Sequence, residues 1–361
     1  MTVVNPGLRH GTVTAPVSKS HLHRLLIASF LGGARDFFAP QPGDSQDIVA
    51  TRRCLKALGE AGDNPVLDCG ESGSTLRFLM PVAAALGKTP TYLKAGRLAS
   101  RPVIEYPTLT SGVHELAGNV SSQYVTGLLF ALPLLPGPSE IRFSSPLESR
   151  GYVDMTLDVL RGAGIEIVGT EDGGYHIPGG QKYSARPDVS PETDWSGAAF
   201  WICANSFGNR IEVAGLSSRS LQPDAAVVGA LWNIGGEIEI SQFPDSFPAL
   251  AVAAAAAPSI TRFLGTRRLR IKESDRVAAM ADVLARLGVE SEARENSFIV
   301  HGTGSLFKGG AFSSFGDHRI AMATAIAATR ASSPVEIDDT SCAAKSYPEF
   351  FNQFAALGRI G

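Results

Sequence analysis

Several short stretches of the 361-residue chain concentrate side chains that hold anions and move protons. Ser18-Lys19-Ser20-His21-Leu22-His23-Arg24 sets a lysine, a serine and an arginine around a helix start. Unpaired backbone N–H groups and the helix dipole favour an anion there. Alone, such a start is more often a solvated cap. Gly70-Glu71-Ser72-Gly73-Ser74-Thr75-Leu76-Arg77 is a glycine-rich turn opening a second helix. It lacks the GxxxxGK[ST] pattern, so a nucleotide P-loop is not indicated. Gly73 is where a phosphate or carboxylate can approach the backbone closely. Ser121-Ser122-Gln123 and Ser149-Arg150-Gly151-Tyr152 add uncharged hydrogen-bonding groups, each as readily a cap as a ligand site.

The sharper clusters are C-terminal. Lys272-Glu273-Ser274-Asp275-Arg276 packs five polar residues immediately before an apolar run, and Asp317-His318-Arg319 enters an almost wholly apolar one. Ionisable groups entering a greasy helix are costly unless paired. Lys345 lies just before the last helix, and Pro244-Asp245 heads another apolar segment with a carboxylate that serves as a base or as a cap.

One repeated pattern must position these residues. A polar turn, a Ser-, Thr- or Asp-headed start, an Ala/Leu-rich run and a closing Gly, Pro or Ala recur at 18–33, 72–87, 121–137, 194–208, 245–258 and 317–331. A segment apolar all round with a polar first turn predicts a buried helix. Amphipathic helices are predicted between them at 47–62, 153–164, 224–236, 275–288 and 348–358, with strands at 165–168 and 237–240. The expected sixth copy, after Arg101, is degraded: 106–112 is no helix. Six α/β units, one eroded, predict two domains of three units each, with a join near Ser190-Pro191.

Composition agrees with a large apolar interior: 44% hydrophobic, 19% charged, mean hydropathy +0.07. A net charge of −3 argues against a nucleic-acid or anionic-membrane partner. Cys54, Cys69, Cys203 and Cys342 show no metal-ligand spacing, as expected in a reducing cytosol. No signal peptide is read at the N-terminus, and the longest greasy stretch, 247–257, is too short to span a bilayer.

The elements SKSxxxR, GxSGSTLRFL, Arg101-Pro102, GNVSSQYxTGLL, SRGY, FPD, KESDR, DHRxAM and CAAKSYPEFF extend in order from Ser18 to Phe351. In that order they resemble the EPSP synthase family of enolpyruvyl transferases. The resemblance implies an α/β, two-domain enolpyruvyl transferase-like fold, each domain made of three repeated α/β units with buried helices and outer sheets. One domain spans 18–189 and the other 1–17 plus 190–361, with the active site in the cleft between them. It further implies a cytoplasmic monomer in the chorismate branch of aromatic amino acid biosynthesis, using no cofactor or metal. Its substrates would be shikimate-3-phosphate and phosphoenolpyruvate, and glyphosate would be an inhibitor.

Matched residue by residue, Lys19, Gly73, Arg101, Gln123, Arg276, Arg319 and Lys345 would bind phosphoenolpyruvate. Lys19, Ser20, Arg24, Ser121, Ser122, Gln123, Ser149, Tyr152, Asp245 and Lys272 would hold shikimate-3-phosphate. Arg77 carries no direct ligand role. Asp245 would take the proton of the substrate hydroxyl and Glu273, with Lys345, would protonate the methylene carbon; His318 and Lys19 complete the catalytic set. Both substrates carry a phosphate and a carboxylate, so the cations of these motifs supply an anion trap on a chain of net negative charge. Leu22, Glu71, Pro223 and Arg268 depart from the usual Ser, Asn, Gly and Asn, and the stretches 101–118 and 236–245 look shortened.

Overall fold

The computed structural model describes residues 1–36, 38–60, 62–101, 103–184 and 190–360. Ala61 of the segment 47–62, Pro102 beside Arg101, and the boundary residue 189 lie outside the described residues. The helices are α1 (Lys19–Leu31), α2 (Gln46–Glu60), α3 (Gly73–Ala85), α4 (Ser122–Ala131), α5 (Arg150–Gly162), α6 (Trp195–Asn205), α7 (Val227–Leu231), α8 (Phe247–Ala256), α9 (Arg276–Leu287), α10 (His318–Ala328) and α11 (Phe350–Ala356). Every residue of α8 and α10 is buried, because their sequences leave no polar stripe for water. By contrast α5 and α9 bury one face only. No helix among the described residues is long and apolar enough to cross a membrane.

The apolar helices are crossovers between parallel strands. α3 joins Val66–Asp68 to Thr91–Leu93, α4 joins Gly112–Ala117 to Ser139–Ser145, α8 joins Glu237–Glu239 to Ile260–Leu264, and α10 joins Gly310–Phe312 to Val335–Ile337. A parallel pair needs such a connection, and it places each helix start just beyond the carboxyl end of a strand. That end is where open α/β sheets bind ligands. Antiparallel strands complete the larger sheets: Tyr175–Ile177 and Val168–Gly169 in one, Ser297–His301 and Glu290–Ala293 in another. Arg9–Thr14 pairs parallel with Arg210–Ala214.

The chain divides into two compact units, Lys19–Glu192 and Met1–Ser18 with Thr193–Gly361. The first is built on a core from Leu22 in α1 through Phe130 in α4 to Tyr183; the second is built on α6, α8 and α10 with Trp201, Phe247 and Ile326.

Two local expectations need correction. The strand predicted at 165–168 begins only at Val168: the Ile165 amide bonds to Leu160 O as the close of α5, and the Glu166 amide bonds to Gln181 Oε1. Those donors are taken before a ladder can form. The helix predicted over 224–236 is a 3-10 turn, Pro223–Ala226, plus the five-residue α7. No helix forms in 103–111; Val103, Tyr106 and Leu109 pack onto the core as irregular chain.

Candidate active site

In the unit Lys19–Glu192, Lys19, Ser20, Gly73, Ser121, Ser122, Gln123, Ser149 and Tyr152 sit at helix starts, and Arg101 follows the 3-10 turn Gly96–Ser100. Ser72 caps α3, its side chain accepting from Thr75 N, and Ser121 caps α4, accepting from Gln123 N. Ser149 precedes α5 in a left-handed conformation, φ 57°, which a non-glycine residue adopts at a cost. Lys19 Nζ lies 2.8 Å from Asp47 Oδ2, and Asp47 is buried at the start of α2. A Cβ placed on Gly73 would stand 2.6 Å from Arg77 Nη1 and 3.5 Å from Arg101 Nη1, so both guanidinium groups flank this glycine. Arg77 Nη1 donates to Gln123 Oε1 at 2.8 Å, and Gln123 Nε2 donates to Ser74 Oγ at 2.9 Å. Gly73, Arg101 and Gln123 are therefore brought together, with Arg77 between them. Glu71 turns aside: its carboxylate packs over Gly96.

Arg24 is placed differently from a surface anion ligand. It is 3% exposed, donates from Nε to Thr156 Oγ1 at 2.8 Å and from Nη2 to Tyr152 O at 2.9 Å, donates from Nη1 to Ser20 O, and lies over the Phe78 ring. Burial lowers its pKa to about 9, with Tyr152 pulling the other way. The guanidinium thus ties Ser20 of α1 to Tyr152 of α5.

In the other unit the chemistry gathers around Arg276, which is 1% exposed. Its Nη1 donates to Asp245 Oδ1 at 2.9 Å, its Nη2 to Glu273 Oε2 at 2.8 Å, and its Nε to Asp317 Oδ2 at 2.9 Å. Asp245 also takes Arg319 Nη2 at 3.1 Å and Lys272 Nζ at 3.3 Å. Arg319 is held further by Ser196: Nη2 donates to its Oγ at 3.0 Å and Nη1 to its carbonyl at 3.3 Å. Asp245, Lys272, Glu273, Arg276 and Arg319 thus form one hydrogen-bonded cluster. His318 is buried beside it, with Nδ1 3.6 Å from Asp317 Oδ1, and Lys345 ends the 3-10 turn Ser341–Lys345 and is itself buried.

The electrostatics follow from this packing. Burial lowers the Lys272 pKa, with Asp245 opposing. Burial works against the charge of Arg276 too, but Asp317, Glu273 and Asp245 together hold it above the usual arginine value. Against burial, Arg276 and His318 keep Asp317 below the usual carboxylate range. The cations expected to form an anion trap are here paired with carboxylates, since uncompensated charges would be too costly to bury.

Capping differs between the two units. Asp194, Asp275 and Asp317 cap α6, α9 and α10, placing a negative charge on each dipole. In Lys19–Glu192 the caps Ser72 and Ser121 are neutral, leaving the positive ends of α3 and α4 uncancelled. Residues that sequence reasoning left without a role are Asp47, Arg77, Ser196 and Asp317. Asp317 and Arg77 sit inside quoted motifs; nothing in the sequence marked Asp47 or Ser196.

Solved structures of this shape are known. An EPSP synthase from Acinetobacter baumannii superposes with a TM-score of 0.76 at 23% identity, covering 99% of this chain and 98% of that one. The enolpyruvyl transferase NikO from Streptomyces tendae gives 0.69 at 15% identity, covering 99% and 97%. These likenesses establish an enolpyruvyl-transferase fold. A family model described as EPSP synthase (3-phosphoshikimate 1-carboxyvinyltransferase) matches residues 103–239 and 232–354. Proteins named 3-phosphoshikimate 1-carboxyvinyltransferase from Clostridium kluyveri and Clostridium novyi are 38% and 35% identical, each alignment covering 98% of this chain and 96% and 97% of the relative. The chain belongs to the EPSP synthase family. The Clostridium kluyveri alignment runs over 415 positions against 361 residues here, so that relative carries internal residues this chain lacks.

Proposed function

We propose that this chain transfers the enolpyruvyl group of phosphoenolpyruvate to the 5-hydroxyl of shikimate-3-phosphate, releasing phosphate, as a step of chorismate biosynthesis. The observation that carries the reading is the bridge Asp245–Arg276–Glu273: two carboxylates, one on each terminal nitrogen of a buried arginine. Addition–elimination needs one group to accept a hydroxyl proton and another to deliver a proton to carbon, both beside a cation that holds the phosphoenolpyruvate anion.

In the addition step the 5-hydroxyl oxygen bonds to C2, its proton passes to Asp245, and Glu273, with Lys345, gives a proton to the methylene carbon. In the elimination step the C2–O bond to phosphate breaks, the methyl group returns a proton, and the enol ether forms. Arg276 and Arg319 divide their donors between Asp245 and the incoming anion, which frees Asp245 to meet the hydroxyl. Lys19, Arg101 and the amides at Gly73 would supply anion contacts, and Ser121, Ser122, Gln123, Ser149 and Tyr152 would hydrogen-bond the shikimate moiety. The same reading makes the chain a cytoplasmic monomer. Phosphate release measured with both substrates, and with each omitted, tests it: release with both alone supports the reading, and no release with both refutes it.

A further inference from the structure

Beneath the Gly73 turn a row of buried polar side chains crosses three helices. His23 Nδ1 of α1 meets Thr51 Oγ1 of α2 at 2.7 Å, Thr51 Oγ1 meets Thr75 Oγ1 of α3 at 2.6 Å, and Thr75 Oγ1 donates to Ser72 Oγ at 2.7 Å. All four residues are 1% exposed or less. Asp47 belongs to the same row by its backbone, since its carbonyl oxygen lies 3.2 Å from Thr51 Oγ1 and 3.4 Å from Thr75 Oγ1. Its carboxylate meanwhile holds Lys19 Nζ. Two anion-facing groups, the Lys19 ammonium and the Gly73 amide after the Ser72 cap, are therefore anchored to one row of hydroxyls.

We propose that His23, Thr51, Thr75 and Ser72 form a positioning element that fixes the Gly73 turn relative to Lys19 for phosphoenolpyruvate. The inference rests on the functional reading above. Proton accounting gives the row a direction. Thr75 donates to Ser72, and Thr51 has one hydroxyl hydrogen, directed to Thr75 Oγ1 or to the Asp47 carbonyl; either way Thr51 accepts from His23, and the proton between them is the ring's. His23 is then a neutral imidazole protonated at Nδ1. Burial agrees, lowering its pKa to about 3. Its Nε2 has no hydrogen-bond partner among the described residues, an expense borne by a ring kept for its Nδ1 contact.

Thr75→Val removes the hydroxyl and keeps the shape; Thr75→Ser restores it. Thr75→Val is expected to raise KM for phosphoenolpyruvate about tenfold while KM for shikimate-3-phosphate and kcat change by less than about threefold, and Thr75→Ser is expected to stay close to wild type. Equal kinetics in Val and Ser variants, or parallel shifts of both KM values, would overturn the proposal. Nitrogen-15 spectra of the histidine rings give a readout independent of turnover. His23 is expected as the Nδ1-protonated neutral tautomer in wild type and in Thr75→Ser, with its Nδ1 resonance displaced in Thr75→Val. An Nε2-protonated ring in wild type overturns the row. Wild-type protein that shows this tautomer but releases no phosphate condemns the functional reading instead.

Discussion

At the scale of single residues, the site is a set of charges that cannot be read one at a time. Asp245 touches three cations and Arg276 three carboxylates, so removing one member leaves another buried without its partner. The acid and base assignments predict that Glu273→Gln and Asp245→Asn lower kcat by about 10²–10⁴-fold. Shikimate-3-phosphate affinity, measured by calorimetry, should change far less; near-normal turnover in both variants would remove the assignment. Gly73 makes a different prediction. A methyl there meets Arg77 Nη1 at 2.6 Å, and that nitrogen is held by Gln123, so the added group displaces a guanidinium that flanks the glycine. Wild type is expected to be inhibited by glyphosate in competition with phosphoenolpyruvate. Gly73→Ala should raise the inhibition constant by about tenfold or more and KM for phosphoenolpyruvate by less. Equal inhibition of both forms would show that Gly73 does not line the pocket.

At the scale of elements, the apolar helices were legible because a run such as Phe247–Ala256 can be nothing but buried, and its polar head marks the start. Paired charges entering α10 likewise announced themselves. The segment 165–168 was not legible as a helix close because alternation is the same whether a strand follows or a side chain, Gln181, intercepts the amide. Asp47 was hidden for another reason. It meets Lys19 only after α1 and α2 pack, 28 residues apart in sequence. The same packing buries His23 near Asp47, Lys19 and Arg24, and it sets a pH dependence. The folded-state pKa is about 3 against an ordinary 6.5, so the unfolded chain takes up a proton first. Stability from the neutral ring is therefore present above pH 6.5 and lost as pH falls toward 3. Between pH 6.5 and 5, where most carboxylates stay ionised, the unfolding midpoint of wild type should fall, and His23→Gln should flatten that slope. A slope unchanged by the substitution would contradict the neutral buried ring.

At the scale of the whole molecule, the chain carries the residues expected to act on substrate with fewer residues between them than the Clostridium kluyveri relative has. The segment after Arg101 forms no helix, yet Val103, Tyr106 and Leu109 still cover the core, and Arg101 still approaches Gly73. Groups expected to meet the two substrates are carried on both compact units, with Lys19, Gly73 and Arg101 on one and Asp245, Glu273 and Arg276 on the other.

The most direct test of enolpyruvyl transfer is phosphate release by the purified protein, coupled to identification of the organic product. With phosphoenolpyruvate and shikimate-3-phosphate together, phosphate and the 5-enolpyruvyl ether should appear in equal amounts, and neither substrate alone should release phosphate. Release with phosphoenolpyruvate and a different alcohol, but none with shikimate-3-phosphate, would contradict the acceptor. Tight binding of both substrates with no phosphate at all would contradict catalysis itself.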